Sequence, residues 1–322
     1  MKKTNTTYKI IGLALIMIGV FVAVSFVLVG SMADEVTMNT LVPNSSPSID
    51  YVYISNNQYG FNDDYSNGTI TGLIGGSTKT IHINGIVSDV NGDEDISSVS
   101  VSFYRTNHAD AYDCSADAND CYQDDTGNGC SIDTTYGDTT QAKFDCPLNL
   151  QYYIDATDSD ADNYSGTSWT VYVTVTDDDY YSDTDSSITK DIESFVSLNI
   201  PSTIDFGALA LGASTTSDNN VEMTVEQYGN MMADVEVAGE ALTCDVNGII
   251  PMANMEWSLS DVGVDADGTY DISADATDTD FNIGLRTTSS VTKSIYWNIT
   301  IPASGVEGTC SGTTTITAKA AD

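Results

Sequence analysis

The side chains best able to do chemistry in this sequence are aspartates, which recur in short runs. One run, DVNGDED from residue 89 to 95, places side-chain oxygens at alternate positions; a second run occupies 177–179, and a third group lies within 155–162. Carboxylate and amide oxygens are the ligands that Ca²⁺ prefers. We therefore predict calcium binding, with the candidate ligands Asp89, Asn91, Asp93, Asp95, Asp177 and Asp179.

The first run resembles half of an EF-hand loop but departs from that pattern. Glu94 stands where the loop needs glycine, and Ser100 stands where it needs a bidentate glutamate. We instead expect an interstrand site, because runs 89–95 and 177–179 both follow apolar strand-like segments. The alternative is that each run is a solvated acidic turn.

No pattern of residues predicts catalysis. The chain has two histidines, His82 and His108, and neither lies in a GxSxG or HExxH context. We expect no enzymatic activity and assign no catalytic residue.

The amino-acid composition limits the classes of molecule that the protein can bind. The formal net charge is −37, and most of the 47 acidic residues are Asp, which favours turns over helices. So acidic a surface repels phosphate, which excludes nucleic acid as a partner. General acidity suited to a salty environment is the alternative explanation of the charge.

The segment Ile10–Gly30 has no charged residue and no Pro, Asn or Gln, and it follows Lys2, Lys3 and Lys9. As a helix it would span about 31 Å, close to the thickness of a bilayer core. Because lysines stay on the cytoplasmic side, the rest of the chain is predicted to lie outside the cell. Small residues before Asp34 also fit a cleavage site. Residues 1–33 are therefore a signal peptide or an N-terminal membrane anchor, and the sequence leaves both open.

Six cysteines follow this segment, and an even number outside the cell predicts disulfides. Cys244 and Cys310 pair if each half of the chain is self-contained. The other four allow three connectivities, of which proximity favours the pairs 114–121 and 130–146: Cys114, Cys121, Cys130 and Cys146.

Beyond a flexible stalk at residues 34–50, apolar residues recur with a period of two. The clearest case is residues 169–175, where Trp169, Val171, Val173 and Val175 alternate with polar or aromatic residues. Such segments between Asp, Gly and Ser turns predict half-buried antiparallel strands. We predict an all-β fold with two antiparallel β-sandwich domains, at 51–193 and 194–322, the first with a cysteine-rich insertion at 108–141.

Two stretches resemble known groups of proteins. The runs IHINGIVSDVNGDEDISSVSVSFYR and TSWTVYVTVTDDDYYSDTDSSIT resemble the immunoglobulin-type extracellular repeats of the PKD and cadherin-like groups, over about residues 76–195. The cysteine-rich insertion departs from that compact repeat. From residue 194, the segments TIDFGALALG, NVEMTVEQYGN and SIYWNITIP resemble the C-terminal β-sandwich of uncharacterised surface proteins from archaea and small-genome bacteria. These resemblances imply fold and location.

Four N-x-S/T triplets on the exported side are candidate glycosylation sites, at Asn44, Asn67, Asn163 and Asn298. Asn298 alternates with apolar residues in its strand, so we expect it to be exposed on the outer face.

These observations predict an exported structural or recognition protein without catalytic activity, on the outer side of the cell membrane or secreted. It would attach to the membrane through the N-terminal segment if that segment is uncleaved, and contact other surface proteins or glycans. Two alternatives stay open: a calcium-dependent adhesin or carbohydrate-binding protein, and a pilus-like filament subunit assembled by strand donation.

Overall fold

The computed structural model describes residues 38–108, 114–124, 129–278 and 280–321. The predicted signal peptide or anchor therefore lies outside the described residues. Among the residues that are described, no helix is long and apolar enough to cross a membrane. The chain divides into two units, Met1–Pro43 and Asn44–Asp322, and the second contains all of the strands described below.

The described chain is built from β-strands, which confirms the predicted all-β class. In the first half the strands are β1 (Ser48–Ser55), β2 (Thr69–Ile70), β3 (Thr78–Ser88), β4 (Ile96–Arg105), β5 (Cys121–Gln123), β6 (Ser131–Asp133), β7 (Gln141–Gln151), β8 (Trp169–Asp177), β9 (Ser182–Asp185) and β10 (Thr189–Ile192). β1 begins three residues before the predicted start of the first domain.

These strands form two sheets around one apolar core, which we call the first core. One sheet has the order β1-β3-β7-β6, and the other β2-β10-β8-β4-β5, with β9 pairing to β8. All of these pairs are antiparallel except β10 with β2. Trp169, Val173 and Val175 are fully buried in this core, as the period of two predicts.

The cysteine-rich insertion adds an edge strand to each sheet. β5 pairs with β4, and β6 pairs with β7. Cys130 is bonded to Cys146 in β7, and Cys114 is bonded to Cys121 in β5. The insertion is therefore joined to both sheets by hydrogen bonds, and to β7 of the first sheet by the disulfide between Cys130 and Cys146.

The described residues of the second half contain eleven strands. They are β11 (Leu198–Asn199), β12 (Val221–Gln227), β13 (Ala233–Gly239), β14 (Leu242–Cys244), β15 (Ile249–Ile250), β16 (Met255–Ser258), β17 (Thr269–Asp271), β18 (Thr277–Asp278), β19 (Thr292–Ile299), β20 (Cys310–Ser311) and β21 (Thr314–Ala320). Three sheets result, with the orders β11-β12-β19-β16-β17, β18-β13-β21 and β15-β14-β20. They surround a second core that includes Trp257, Phe281 and Ile295.

The two cores are connected by polar and aromatic contacts within the compact unit. The Asn230 side chain accepts a hydrogen bond from the Phe195 amide and donates one to the Glu193 carbonyl, both at 2.8 Å. The rings of Tyr152 and Tyr228 lie 5.4 Å apart. The buried residues of the first core precede residue 194 and those of the second core follow it, and both cores lie in the one unit Asn44–Asp322.

Candidate metal centre

Three predicted calcium ligands meet where strands of the first core begin or end. Asp89 directly follows β3, Asp95 directly precedes β4, and Asp177 is the last residue of β8. β4 and β8 are paired, with Ile96 opposite Asp177. This register brings the carboxylates of Asp95 and Asp177 to the same end of the sheet.

The three carboxylates form a compact cluster. One oxygen from each of Asp89, Asp95 and Asp177 lies within 4.8 Å of the others. Asp89 and Asp177 are both 1% exposed, whereas Asp95 is partly exposed. Such a set provides hard oxygen ligands at the entrance of an otherwise buried site, as a cation such as Ca²⁺ requires.

Local hydrogen bonds fix the orientation of two of these carboxylates. Asp89 Oδ1 accepts a 2.8 Å hydrogen bond from the Asn91 amide. Asp177 Oδ1 accepts hydrogen bonds from the amides of Asp179 and Tyr181, at 3.0 and 2.8 Å. In each case one carboxylate oxygen accepts the hydrogen bonds that stabilise the following turn, and the second oxygen does not contact those amides.

The carboxylates of the cluster lie in a strongly negative environment. Asp89 Oδ2 is buried and has no hydrogen-bond partner in the part of the chain that the structure describes. Burial raises the pKa of Asp95, and the nearby charges of Asp89, Asp177, Asp178 and Asp179 raise it further. Carboxylates this close repel one another, and a divalent cation would reverse the sign of this interaction.

The chain that enters the first β-strand is hydrogen-bonded to the same cluster. Asn44 Nδ2 donates to Asp177 Oδ2 at 2.8 Å, and the Ser45 amide donates to Asn91 Oδ1 at 2.9 Å. The sequence predicts Asn44 only as a candidate glycosylation site. Its contact with Asp177 depends on the fold and has no local signal in the sequence.

Two other predicted aspartates, Asp93 and Asp179, are not part of the group of three carboxylates. Asn91 and Asp179 contribute the turn contacts described above, and Asp93 is buried. Three of the six predicted ligands therefore come together in the described residues, and the full set stays a prediction. The third acidic run disperses, since Asp155 pairs with Arg105 and Asp158 binds Ser194.

Three disulfides connect the six cysteines. They join Cys114 to Cys121, Cys130 to Cys146, and Cys244 to Cys310. The pairs favoured by proximity are thus the pairs in the structure. Three disulfides indicate an oxidising environment, extracellular or periplasmic.

One glycosylation site differs from expectation. Asn298 is fully buried, where its side chain accepts a 2.9 Å hydrogen bond from Thr215 Oγ1 and donates a 3.0 Å hydrogen bond to the Val262 carbonyl. The expectation that Asn298 is exposed is wrong, because segments outside the sheet cover the outer face of β19. A glycan does not fit at this position in the folded protein. Asn67 and Asn163 are exposed.

Aromatic side chains form a row on the outer face of the first sheet. The rings of Tyr51 and Tyr53 are stacked at 6.1 Å, Tyr53 meets Phe61 edge-on at 6.4 Å, and Phe61 stacks on Tyr136 at 5.3 Å. Tyr51 is 58% exposed. A partly exposed row of this kind presents ring faces and edges to solvent.

The histidines are held by acidic side chains. His82 Nδ1 lies 2.8 Å from Asp145 Oδ1, and His108 Nε2 lies 3.5 Å from Asp120 Oδ1. The Asp145 carboxylate also accepts a hydrogen bond from the Tyr59 amide at 3.2 Å. These contacts connect neighbouring segments of the first half of the chain.

No protein-family model matches the chain, and no curated protein sequence matches it. Among solved structures, a similarity is found to the secreted serine protease VesC from Vibrio cholerae. It has a TM-score of 0.18 and 7% sequence identity, and covers 78% of this chain and 48% of that protein. The chain thus spans about half the length of VesC, and so low a TM-score carries no argument about fold or activity.

Proposed function

We propose that this chain is an exported, non-catalytic structural or recognition protein of the cell surface, and that Ca²⁺ stabilises its first half. Its two halves would be immunoglobulin-like β-sandwiches, the first akin to the PKD and cadherin-like repeats. The observation that carries the calcium proposal is the convergence of Asp89, Asp95 and Asp177, with Asp89 Oδ2 buried and unpartnered.

The location of the cluster suggests what the cation would do. Ca²⁺ takes six to eight oxygen ligands, so the three carboxylates would supply part of the shell, and water or backbone carbonyls the remainder. The same carboxylates hold the turns after β3 and β8 and, through Asn44, the start of the compact unit. Calcium would therefore stiffen the point where the chain from the membrane side enters the folded protein.

Thermal unfolding with and without calcium tests this proposal. A ligand at 100 times its dissociation constant stabilises the native state by about 2.7 kcal/mol, which raises Tm by several degrees. We expect the purified wild-type protein to gain this stability in Ca²⁺ and lose it in a chelator. In D89N the effect should disappear, because the substitution preserves shape but removes a charged ligand.

The matched control is D218N, which removes an equal charge from an exposed turn far along the chain. D218N should keep the full calcium effect. D89N should still fold without calcium, since it also relieves repulsion within the cluster. A wild-type Tm that is unchanged by chelation, or a calcium effect that survives in D89N, would show that the cluster is only a solvated acidic turn.

Glycan binding is a second candidate, and the aromatic row favours it. The faces of tyrosine rings are suitable platforms for the apolar faces of sugars, and Tyr51, Tyr53, Phe61 and Tyr136 are contiguous. Binding to a glycan array should be lost in Y51A and kept in Y180A, because Tyr180 is exposed but lies outside the row. Equal binding by the two variants, or none by the wild type, would argue against this role.

The surface location has its own test. A membrane-impermeant amine reagent should label the full chain on intact cells, since Lys79, Lys143 and Lys319 all lie in the part predicted to be exported. Intact-mass measurement of the labelled protein would also report whether residues 1–33 are retained. Labelling that requires cell lysis would contradict the proposed location.

A further inference from the structure

An apolar cleft opens beside the second core. Its volume is about 1100 Å³, and it is lined by side chains from different sheets, among them Met223, Trp297, Leu242 and Ile316. The segment 200–211 passes along it without forming a strand. A fully packed interior leaves few voids larger than a water molecule, so this cleft leaves room for further side chains beside the second core.

Two of the strands that line the cleft have an unpaired edge. β12 pairs with β19 on one side, but β11 covers only Glu226 and Gln227 on the other. β21 pairs with β13 and, within the described chain, with no other strand. Unpaired edges present rows of amide and carbonyl groups that can accept a further strand.

One residue that lines the cleft, Trp297, has a polar atom without a partner. Trp297 is 3% exposed, and its indole Nε1 is buried with no hydrogen-bond partner among the described residues. A buried indole N–H usually has an acceptor.

The charge of the protein restricts what can fill the cleft. The net charge is −37, and two acidic residues, Asp205 and Glu307, line the cleft among otherwise uncharged residues. A strand with acidic side chains would add repulsion and unpaired charge at this position. An uncharged strand with apolar residues on one face fits this lining.

One segment of the chain itself has these properties. Residues 38–42, Met-Asn-Thr-Leu-Val, carry no charge and form no strand, and Met38 and Leu41 are both 91% exposed. In an extended conformation Met38, Thr40 and Val42 would share one face. Five residues are close to the mean length of a strand in proteins.

We propose that residues 38–42 of a second copy of this chain insert as a strand into the apolar cleft beside the second core. Backbone pairing along the edge of β12 or β21 would supply hydrogen bonds, and Met38 and Val42 would fill the cleft. Because donor and acceptor surfaces differ, the contact is head-to-tail and can continue from copy to copy. The inference is independent of calcium, since the cleft and the acidic cluster lie around different cores.

The assembly state of the full-length protein in mild detergent tests this proposal, by native mass spectrometry over a range of concentrations. We expect dimers and larger oligomers for the wild type. M38D should shift the protein to monomers, weakening association about tenfold or more, because it places a charge on the inserted face. N39D is the matched control: it adds the same charge to the next residue, on the outward face, and should still assemble.

Hydrogen exchange provides a second measurement that does not depend on the apolar N-terminal segment. Amides of β12 and β21 should be more protected in the wild-type oligomer than in M38D, while amides of β4 stay unchanged. A synthetic peptide of residues 36–44 should restore that protection to M38D. The proposal would be overturned if the wild type were monomeric at every concentration, or if M38D and N39D assembled equally. The calcium proposal is tested separately, because the effect of calcium on Tm should persist in M38D whether or not the protein assembles.

Discussion

Replacing Arg105 with methionine is expected to destabilise the protein strongly at neutral pH and much less at acidic pH. Arg105 is 7% exposed, and its guanidinium contacts Asp155 at 3.0 Å and Asp120 at 3.4 Å and lies 3.7 Å from the centre of the Tyr164 ring. Removing one partner of a buried ion pair typically costs 3–5 kcal/mol, because the other charge stays buried without compensation. A loss of about 3–5 kcal/mol lowers Tm by roughly 6–20 °C.

The pH dependence follows from Asp155. Burial raises the pKa of its carboxyl from 3.8 to about 6, and Arg105 opposes that rise. Because the folded-state pKa lies above the unfolded value, the contribution of neutral Asp155 to stability is present below about pH 4 and is lost as pH rises through about 6. Without Arg105 the folded-state pKa of Asp155 rises further, so the decrease in stability with rising pH continues to higher pH. At pH 4.5 Asp155 is neutral in both proteins, and only hydrogen bonds and packing worth about 1–2 kcal/mol are lost.

Thermal unfolding of wild type, R105M and R105M/D155N at pH 4.5 and 7.5 measures this effect. The second substitution should recover most of the stability lost at pH 7.5, since it removes the uncompensated charge. K319M is the control, because Lys319 pairs with Asp278 at the surface and such pairs contribute about 0–1 kcal/mol. Equal destabilisation of R105M at both pH values, or no recovery in the double variant, would refute the reasoning.

Three further predictions concern sites in both halves of the chain. Since burial and neighbouring carboxylates raise the pKa of Asp95, protons compete with the cation, and calcium affinity measured by titration calorimetry should fall as pH is lowered from about 7.5 to 5. N298A should lose about 1–3 kcal/mol, because it removes two buried hydrogen bonds and leaves a small cavity, and peptide mass spectrometry of the native protein should find no glycan at Asn298. G85A should lower Tm because its new methyl group would overlap a buried phenyl ring, whereas G166A, with nothing within 4 Å, should not.

The periodicity of the sequence predicts the strands of the first core well, and it does so for a physical reason. Trp169, Val171 and Val175 alternate with less buried residues, and in a strand that alternation separates two faces.

Asn298 shows the limit of this argument. Its alternation with Trp297 correctly predicts opposite faces, but period two contains no information on whether another segment covers the outer face.

The sequence predicts acidic residues at the ends of strands, but it does not predict which of them converge. Asp89, Asp95 and Asp177 all adjoin strand ends, yet their convergence depends on the pairing of β4 with β8, which the sequence does not specify. Asn91 and Asp93 fit the same alternating pattern, and Asp93 begins a 3₁₀ turn, Asp93–Asp95, that the alternation does not predict. Disulfide pairing was easier to predict, because short chain separations limit which cysteines can meet.

Salt should act in opposite directions on the two proposed contacts, because they respond differently to the charge of −37. Calcium binding relies on attraction between charges, which added salt screens as the Debye length falls from about 10 Å at 0.1 M to 3 Å at 1 M. Strand insertion joins two strongly acidic molecules through a neutral, apolar contact, so the same screening removes long-range repulsion and favours association. A protein of this composition would therefore assemble best in a salty medium, and there it would need calcium at concentrations high enough to offset the weaker affinity of the acidic cluster.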